Sequence, residues 1–262
     1  MAPSRASPKS GLKTQGDPPK HQDNLLLEAL SPPVRERVYE NLKLTELPLG
    51  EVLYESGDVM NDVYFPTNSI ISLLYVMEDG SSAEISVVGN EGIVGIALFM
   101  GGQSTPSRAV VQSAGHGYRL AGKFLKEEFR RHGELHHLLL RYTQALITQM
   151  AQTAACNRHH SIDQQICRWL LLSMDRLKGN HLNMTQELIA NMLGVRREGV
   201  TEAASKLADA GVIAYKRGHI TILDRPELER RSCECYAVVK RESDRLLENF
   251  SYPPAGPPPP GD

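Results

Sequence analysis

The chain has 262 residues, of which 41% are hydrophobic and 23% are charged, and its formal net charge at pH 7 is -2. No apolar run approaches the roughly 20 residues that a membrane-spanning helix needs, and the four cysteines lack the spacing of a disulfide framework. These features exclude an integral membrane protein and a disulfide-stapled secreted domain. We therefore expect a two-domain cytoplasmic protein that has reduced thiols and no membrane partner.

Both ends of the chain are rich in proline and lack an apolar core segment. Residues 1–24 and 251–262 are therefore predicted to be disordered tails. The first of them has no apolar segment of the kind found in a secretory signal peptide.

The first domain is predicted over residues 25–133. A short helix begins after Ser31, which can cap it, with Pro32 and Pro33 in its first turn. Short β-rich runs separated by turn residues follow, with a hairpin turn at 78–81. Their regular spacing predicts a β-barrel or sandwich. The runs are 51–54, 63–65, 70–77, 83–88, 108–112 and 117–120.

A long amphipathic helix is predicted over residues 134–158, where few helix breakers occur. Its apolar side chains recur at nearly heptad spacing, which is typical of a seam between two helices. We interpret this helix as the dimer contact, and an ordinary core helix within one domain is the alternative. The predicted seam residues are Leu135, Leu139, Tyr142, Leu146, Gln149, Met150 and Thr153.

Residues 159–225 predict a helix-turn-helix unit. An amphipathic helix over 162–177, which contains Trp169, is expected to support it from below, and we call it the floor helix. Thr185 can cap the first helix, and Gly194 supplies the left-handed residue that ends it. An apolar stripe continues along the second helix, and its opposite face is polar. This geometry places a helix in the major groove of DNA. The predicted base-reading residues on the polar face are Arg197, Glu198, Thr201 and Glu202.

Two short strands, 212–215 and 219–223, predict a wing after the second helix, and residues 226–250 predict a charged C-terminal helix. The unit 159–225 holds nine basic and seven acidic side chains, a net charge of +2, whereas residues 25–158 carry -4. The basic surplus is small, so we expect weak, salt-sensitive non-specific DNA binding. Predicted phosphate contacts are Thr185, Gln186, Arg196, Lys206, Lys216 and Arg217.

The segment Gly194-Val-Arg-Arg-Glu-Gly-Val200 resembles the turn and the Ser-Arg-Glu-Thr-Val of Crp/Fnr regulators. The segments 50–58 and 90–95 are similar to the turn motif and the phosphate-cassette start of cyclic-nucleotide-binding folds. The resemblance covers about residues 25–223. It implies an α+β fold with an N-terminal antiparallel β-roll, a long dimerisation helix and a C-terminal winged helix-turn-helix.

The family resemblance also implies a function. Arg197 would donate to guanine O6 and N7, and Glu198 would accept from a cytosine amino group. The implied protein is a homodimeric transcription regulator that binds a pseudo-palindromic site on double-stranded DNA and contacts RNA polymerase. It departs from the family at three positions: Arg196 replaces a capping Ser, Glu202 replaces a base-reading Arg, and Gly199 lies inside the helix.

By the same resemblance, an effector pocket in the β-roll would involve Gly95, Ile96, Ser107 and Arg108. A cyclic nucleotide needs a carboxylate for its ribose hydroxyl, and Ile96 stands at that position. An unpaired buried hydroxyl is costly, so we expect neither cyclic AMP nor another identified cofactor. An unidentified effector of the roll is left open.

The sequence also bears on catalysis, on a protein partner and on metal binding. No residue constellation indicates catalysis, so we expect no enzyme activity. A ligand-binding module whose helix pair recruits a protein instead of DNA is the alternative function. No metal site is predicted, because Cys233 and Cys235 would point to different faces of one helix. The histidines 132, 136 and 137 fit solvated helix ends, and 159 and 160 lie at the hinge between the domains.

Overall fold

The computed structural model describes residues 20–216 and 218–247 of the 262. It shows an antiparallel β-roll, a long helix, a winged helix-turn-helix unit and two further helices, in that order. The predicted α+β fold class is thus confirmed. The predicted proline-rich tail 251–262 and Arg217 lie outside the described residues. Within the described ranges, no helix is long and apolar enough to cross a membrane.

The secondary structure consists of ten strands and ten α-helices in the described parts of the chain. The strands are β1 (Lys43–Leu47), β2 (Val52–Tyr54), β3 (Asp62–Pro66), β4 (Ile70–Val76), β5 (Ser82–Val88), β6 (Arg108–Ser113), β7 (Gly115–Ala121), β8 (His181–Asn183), β9 (Ile213–Lys216) and β10 (His219–Ile222). The helices are α1 (Leu25–Glu28), α2 (Pro32–Tyr39), α3 (Ala97–Met100), α4 (Gly122–Arg130), α5 (Glu134–His159), α6 (Ile162–Met174), α7 (Gln186–Leu193), α8 (Arg197–Asp209), α9 (Arg225–Arg231) and α10 (Glu234–Leu247).

The roll consists of two antiparallel sheets, with strand orders β1-β7-β3 and β2-β6-β4-β5. Its core is apolar and includes Phe65, Ile71 and Leu120, all buried. The six predicted runs correspond to β2 to β7. The sequence did not indicate β1, because only Leu47 of its five residues is buried and the strand shows no apolar alternation.

Residues 20–24 of the predicted N-terminal tail are part of the fold, and residues 1–19 lie outside the described residues. Residues 21–23 form a turn of 3-10 helix, and Asn24 is fully buried. The amide Nδ2 of Asn24 donates to the carbonyls of Pro66 and Gly92, both at 2.9 Å, while its Oδ1 accepts from Leu27 N at 3.2 Å. These bonds cap α1 and attach the segment to the roll, so 20–24 belongs to the first domain.

The long helix α5 is confirmed, but the predicted seam is wrong for most of its residues. The apolar side chains assigned to that seam pack into the chain's own roll, because α5 closes the roll core. Leu135, Leu139, Tyr142, Leu146 and Gln149 are buried, and Met150 and Thr153 are half-buried. These side chains therefore pack within their own chain and are not available to contact a second copy.

The predicted C-terminal helix 226–250 is instead two helices, α9 and α10, separated at Ser232 and Cys233. The second of them lies antiparallel along α5. Near its end, Arg141 Nε donates to Leu246 O at 2.5 Å, and near its start Cys233 meets Cys156. A second face of α5 is thus covered within the chain.

The helix-turn-helix unit shares a core with the roll. Trp169 and Leu170 of α6 are buried in one apolar cluster with Ile70 and Val87 of the roll sheet. Three strands, in the order β8-β10-β9, form the small sheet. The predicted two-stranded wing corresponds to β9 and β10, and β8 adds a strand that the sequence did not indicate.

Candidate DNA-binding site

The first helix of the motif, α7, begins at the predicted cap. Thr185 Oγ1 accepts a hydrogen bond from Leu188 N at 3.2 Å, and Glu187 lies in the first turn, where negative charge suits the helix dipole. Ile189 and Leu193, four residues apart, are both buried on the same face. The local sequence therefore fixes both the start of this helix and its inward face.

The turn between the two helices depends on Gly194. This residue has φ +65° and ψ 33°, the left-handed conformation that a side chain disfavours. Val195 follows; its N–H donates to Ala190 O at 3.0 Å and its side chain packs against the apolar cluster. The chain thus reverses direction within a few residues, as the sequence predicts.

The second helix, α8, separates apolar from polar side chains. Val200, Ala203, Ala204 and Leu207 are buried. The opposite side is solvent-exposed and carries Arg197, Glu198, Thr201, Glu202, Ser205 and Lys206. One side of α8 is thus buried and the other is polar and exposed. A helix of this kind, about 10–12 Å wide, fits into the major groove of DNA.

Gly199 has a packing reason for its place inside α8. A Cβ at this position would lie 2.8 Å from Cδ1 of Ile162, at the start of α6. The glycine therefore lets α6 approach α8 closely, at a helix-propensity cost of about 1 kcal/mol. One departure from the family pattern is thus explained by the floor helix and not by DNA.

The exposed face of α8 carries paired charges. Arg197 Nε lies 3.8 Å from Glu187 Oε2, and both side chains are 64% exposed. Lys206 Nζ lies 2.9 Å from Glu202 Oε1 and 3.2 Å from Asp163 Oδ2, hydrogen bonds that raise the pKa of Lys206. Exposed ion pairs of this type are weak because water screens them, so phosphates or base edges can replace the carboxylates.

Other predicted contacts surround α8. Thr201 Oγ1 lies 2.8 Å from Gln186 Oε1, which links the two helices of the motif. Arg196 is exposed directly before α8, and Lys216 is exposed at the end of β9. Gly218, with φ +83°, turns the wing. The predicted base-reading and phosphate-binding residues within the described ranges therefore all lie in the helix-turn-helix and the wing.

Comparison with known domain families accounts for both halves of the fold. Residues 44–132 match the cyclic nucleotide-binding domain, and residues 164–231 match the Crp-like helix-turn-helix domain. Together the two matches span more than half of the chain. The chain belongs to the Crp/Fnr family. It is a transcription regulator with a helix-turn-helix DNA-binding domain, as the sequence analysis predicted.

Several solved structures share the fold at low sequence identity. A putative Crp/Fnr-family regulator from Eubacterium rectale has a TM-score of 0.62 at 16% identity and covers 80% of this chain and 98% of its own. FixK2 from Bradyrhizobium japonicum has a TM-score of 0.62 at 16% identity, with coverage of 73% and 98%. TTHB099 of Thermus thermophilus has a TM-score of 0.58 at 18% identity, with coverage of 79% and 100%. No curated protein sequence matches significantly.

A second candidate site of this Crp/Fnr regulator is a cavity of about 350 Å³ between the roll and α5. Its lining is mostly apolar. Among the described residues that line it, hydroxyls are the polar groups and there is neither a carboxylate nor a guanidinium. The lining residues are Tyr54, Met60, Leu73, Tyr75, Ile85, Ile96, Ala97, Thr105, Ser107 and Met150.

Two of the four predicted effector residues, Ile96 and Ser107, line this cavity. Arg108 instead forms a two-pronged ion pair with Glu55, with Nε–Oε2 at 2.7 Å and Nη2–Oε1 at 2.8 Å. This corrects its predicted place in the pocket, because its charge is matched by a carboxylate. Gly95 has φ +105°, and a Cβ there would come 3.0 Å from Val63, so its role is structural.

The sequence analysis did not identify Tyr54, which contributes a hydroxyl to the cavity. Burial raises the pKa of Tyr54, so its hydroxyl stays protonated and can donate to a ligand. Its position in the segment 50–58, which resembles the cyclic-nucleotide-binding turn motif, was the signal that could have indicated it.

Proposed function

We propose that this regulator binds DNA as a homodimer and reads a pseudo-palindromic site through Arg197 and Glu198. The exposed polar face of α8 carries the proposal: both residues lie in its first turn, and both are exposed. In helix-turn-helix proteins the N-terminal residues of the second helix contact base edges. Arg197 has the donors for guanine, and Glu198 has the acceptors for cytosine.

The exposed face of α5 supports a dimer. Leu140 and Ile147 are apolar and large, yet they are 43% and 52% exposed. Together with the exposed Gln144, Ala151 and Ala154 they alternate at spacings of four and three residues. That pattern is the seam of a two-stranded coiled coil. We call these five residues the α5 stripe, and we propose that it pairs with its copy in a second chain.

A dimer formed through the α5 stripe presents two α8 helices to one face of DNA. Successive major grooves on one face are about 34 Å apart, so the two half-sites would be separated by one helical turn. Arg196, directly before α8, and Lys216, at the end of β9, would hold phosphates, and Arg217 remains a predicted phosphate contact outside the described residues. Membership of a family of transcription regulators supports RNA polymerase as a further partner.

Replacing Arg197 by alanine is expected to weaken binding to the preferred site by about 1–3 kcal/mol and to relax specificity at the base that it reads. The reason is the loss of two directed hydrogen bonds to one base edge. The preferred site is first selected from a random duplex pool. Binding is then measured by gel shift on that site and on single-base variants.

Lys216→Ala is the matched control, because a phosphate contact carries no sequence information. It should weaken binding to all sequences about equally and reduce the slope of log affinity against log salt by about 1. An equal loss on all sequences for Arg197→Ala would contradict base reading by this residue. Absence of any shift at low ionic strength would favour the alternative in which the helix pair recruits a protein.

We also propose that the roll cavity accepts a small, largely apolar molecule in preference to a cyclic nucleotide. The support is its lining of apolar side chains and hydroxyls, and the pairing of Arg108 with Glu55. A cyclic phosphate would have to be desolvated without a cationic partner, which is costly. The cavity lies within the size range of small-molecule sites.

Cyclic AMP is therefore expected to leave the thermal unfolding midpoint of the full chain unchanged. A ligand present at 100 times its dissociation constant would stabilise the protein by about 2.7 kcal/mol, which a thermal shift assay detects easily. Isothermal titration with cyclic AMP checks the same point without heating. Saturable binding in the titration would overturn the proposal for the cavity and leave the DNA-binding proposal intact.

A further inference from the structure

Four potential metal ligands converge at the joint between α5 and the DNA-binding unit. They are Cys156, His160, Cys233 and Cys235, and one ligand atom of each lies within 4.8 Å of the others. All three thiols are buried and the imidazole is half-buried. The residues are supplied by the last turn and C-cap of α5 and by the start of α10. We propose that this cluster, the Cys3His site, binds one zinc ion.

Two of the ligand separations match a single tetrahedral ion. With bond lengths of about 2.3 Å to sulfur and about 2.0 Å to nitrogen, a tetrahedral zinc holds its ligand atoms about 3.5–3.8 Å apart. Cys156 Sγ lies 3.6 Å from Cys233 Sγ, and Cys235 Sγ lies 3.6 Å from His160 Nδ1. An iron–sulfur cluster would distribute its ligands over several irons and hold them farther apart.

The break between α9 and α10 is what makes this geometry attainable. On one continuous helix, Cys233 and Cys235 would point to different faces, which is why the sequence indicated no site. In the structure Cys233 precedes α10, while Cys235 lies in its first turn. The non-helical residue can therefore turn its thiol towards the same point. Cys156 lies in the last turn of α5, and His160, four residues later, is the C-cap, whose N–H donates to Cys156 O at 3.0 Å.

The surroundings of His160 correspond to those of a zinc-bound histidine. Its Nδ1 faces the thiols, and its Nε2 lies 3.3 Å from Glu234 Oε2. Metal-ligating histidines commonly donate their second N–H to a carboxylate, which fixes the tautomer and the ring orientation. Glu234 lies between Cys233 and Cys235 in the sequence, so one short segment supplies two ligands and the carboxylate partner.

A buried guanidinium can balance the negative charge of such a site. Zinc bound by three thiolates and a neutral imidazole has a net charge of -1. Arg168 is buried, and its Nη2 donates at 2.8 Å to Thr153 Oγ1, one turn before Cys156 on α5. Its Nε is also buried and lacks a hydrogen-bond partner among the described residues. An unpaired buried N–H is costly, and a neighbouring anionic centre reduces that cost.

The position suggests what the ion does. His160 ends α5, its carbonyl accepts from Gln165 Nε2 of α6 at 2.9 Å, and α10 begins beside it. One zinc ion would therefore fasten the C-terminal helix to the long helix at the joint where the DNA-binding unit begins. Removing it should loosen the start of α10 from the end of α5.

The test uses the full chain, purified without oxygen in the presence of a thiol reductant. Plasma mass spectrometry should find about one zinc ion per chain. After removal of zinc with a chelator, cobalt(II) should produce the visible absorption of a tetrahedral site and a thiolate charge-transfer band, and added zinc should abolish both. Zinc should also raise the unfolding midpoint of the metal-free chain, because it binds only the folded site.

Substitutions of single residues test whether zinc binds at the Cys3His site. Cys235→Ser should weaken zinc binding by at least about 100-fold, since only three ligands remain. Glu234→Gln should weaken it by about 10- to 100-fold while keeping the cobalt spectrum, as expected for a residue that orients a ligand. Cys167→Ser is the matched control, because this fourth cysteine is buried but outside the cluster; it should retain the full zinc content.

Two results would overturn the proposal. One is a reduced wild-type chain that contains no zinc and gives no tetrahedral cobalt spectrum, including the case of a native disulfide between Cys156 and Cys233. The other is a loss of zinc in Cys167→Ser equal to that in Cys235→Ser. Should Cys235→Ser fail to fold, the chelation and cobalt measurements on the wild-type chain still decide.

Discussion

Replacing Ile147 by glutamate is expected to convert the regulator into a monomer and to weaken binding to its palindromic site by about 100- to 10,000-fold. A dimer binds the second half-site as an intramolecular event, so loss of the dimer removes that advantage without touching α8. Ile147 is the most exposed large apolar residue of α5. A glutamate there would place two negative charges against each other in the middle of the paired helices.

The expected change depends on which face of α5 is free. One face of the helix packs into the roll core through Leu138 and Leu146, and another is covered by α10. The α5 stripe is left on the third face. Large apolar side chains at regular heptad spacing on an exposed helix face mark an interaction surface.

Thr148→Glu is the matched control. It introduces the same charge one residue further along, turned by about 100° around the helix axis from Ile147 and outside the five residues of the α5 stripe. Sedimentation velocity should show a dimer for the wild type and for Thr148→Glu, and a monomer for Ile147→Glu. A dimeric Ile147→Glu chain with full affinity for the palindrome would place the dimer contact elsewhere.

Local signals in the sequence predicted the DNA-binding motif well. The cap at Thr185 and the left-handed turn at Gly194 each depend on a few adjacent residues, and the spacing within α8 fixes which side chains face outward. The same holds for the six predicted strands of the roll. Such features can be predicted because the physical cause lies within one or two turns of chain.

Features that depend on distant contacts could not be predicted in the same way. Leu139 and Leu146 have the same seven-residue spacing as Leu140 and Ile147, and only the packed roll decides which pair is buried. The Cys3His site unites residues more than 70 positions apart in the sequence and requires a helix break that no proline or glycine marks. Sequence periodicity contains neither piece of information.

Glu84→Gln is expected to stabilise the folded chain by up to about 3 kcal/mol at pH 8 and to leave its stability unchanged near pH 4.5. Burial raises the pKa of Glu84 from 4.5 to about 7, although hydrogen bonds from Ser72 and Trp169 and the charges of Arg168 and Arg176 lower it. A shift of one pKa unit corresponds to about 1.4 kcal/mol. The folded chain thus holds a proton that the unfolded chain releases at lower pH.

The sign follows from proton binding. Between pH 4.5 and 7 the folded chain binds one more proton at Glu84 than the unfolded chain, so the free energy of unfolding falls as pH rises through this window. Above pH 7 the full cost of burying the carboxylate is present. Glutamine cannot ionise and therefore removes this dependence. The glutamine side chain can still accept from Trp169 Nε1, which lies 3.0 Å from Glu84 Oε1.

Urea unfolding at several pH values checks the prediction, with the difference between variant and wild type as the quantity of interest. Glu46→Gln changes an exposed carboxylate of the roll and is the control for the loss of one negative charge. A difference for Glu84→Gln that is constant from pH 5 to pH 8 would contradict a pKa shift of this residue.

Glu84 also connects the two halves of the molecule. Its protonation should therefore change the contacts between the roll and the DNA-binding unit. It lies on β5 of the roll, whereas Trp169 lies on α6 of the DNA-binding unit. Ser72 Oγ lies within hydrogen-bonding range of Glu84 Oε2 and 2.5 Å from Gln112 Oε1, so a protonated Glu84 can donate to Ser72 while Ser72 donates to Gln112. Because Trp169 is the chain's single tryptophan, its fluorescence reports on this joint. The emission should change between pH 6 and pH 8 in the wild type and stay constant in Glu84→Gln.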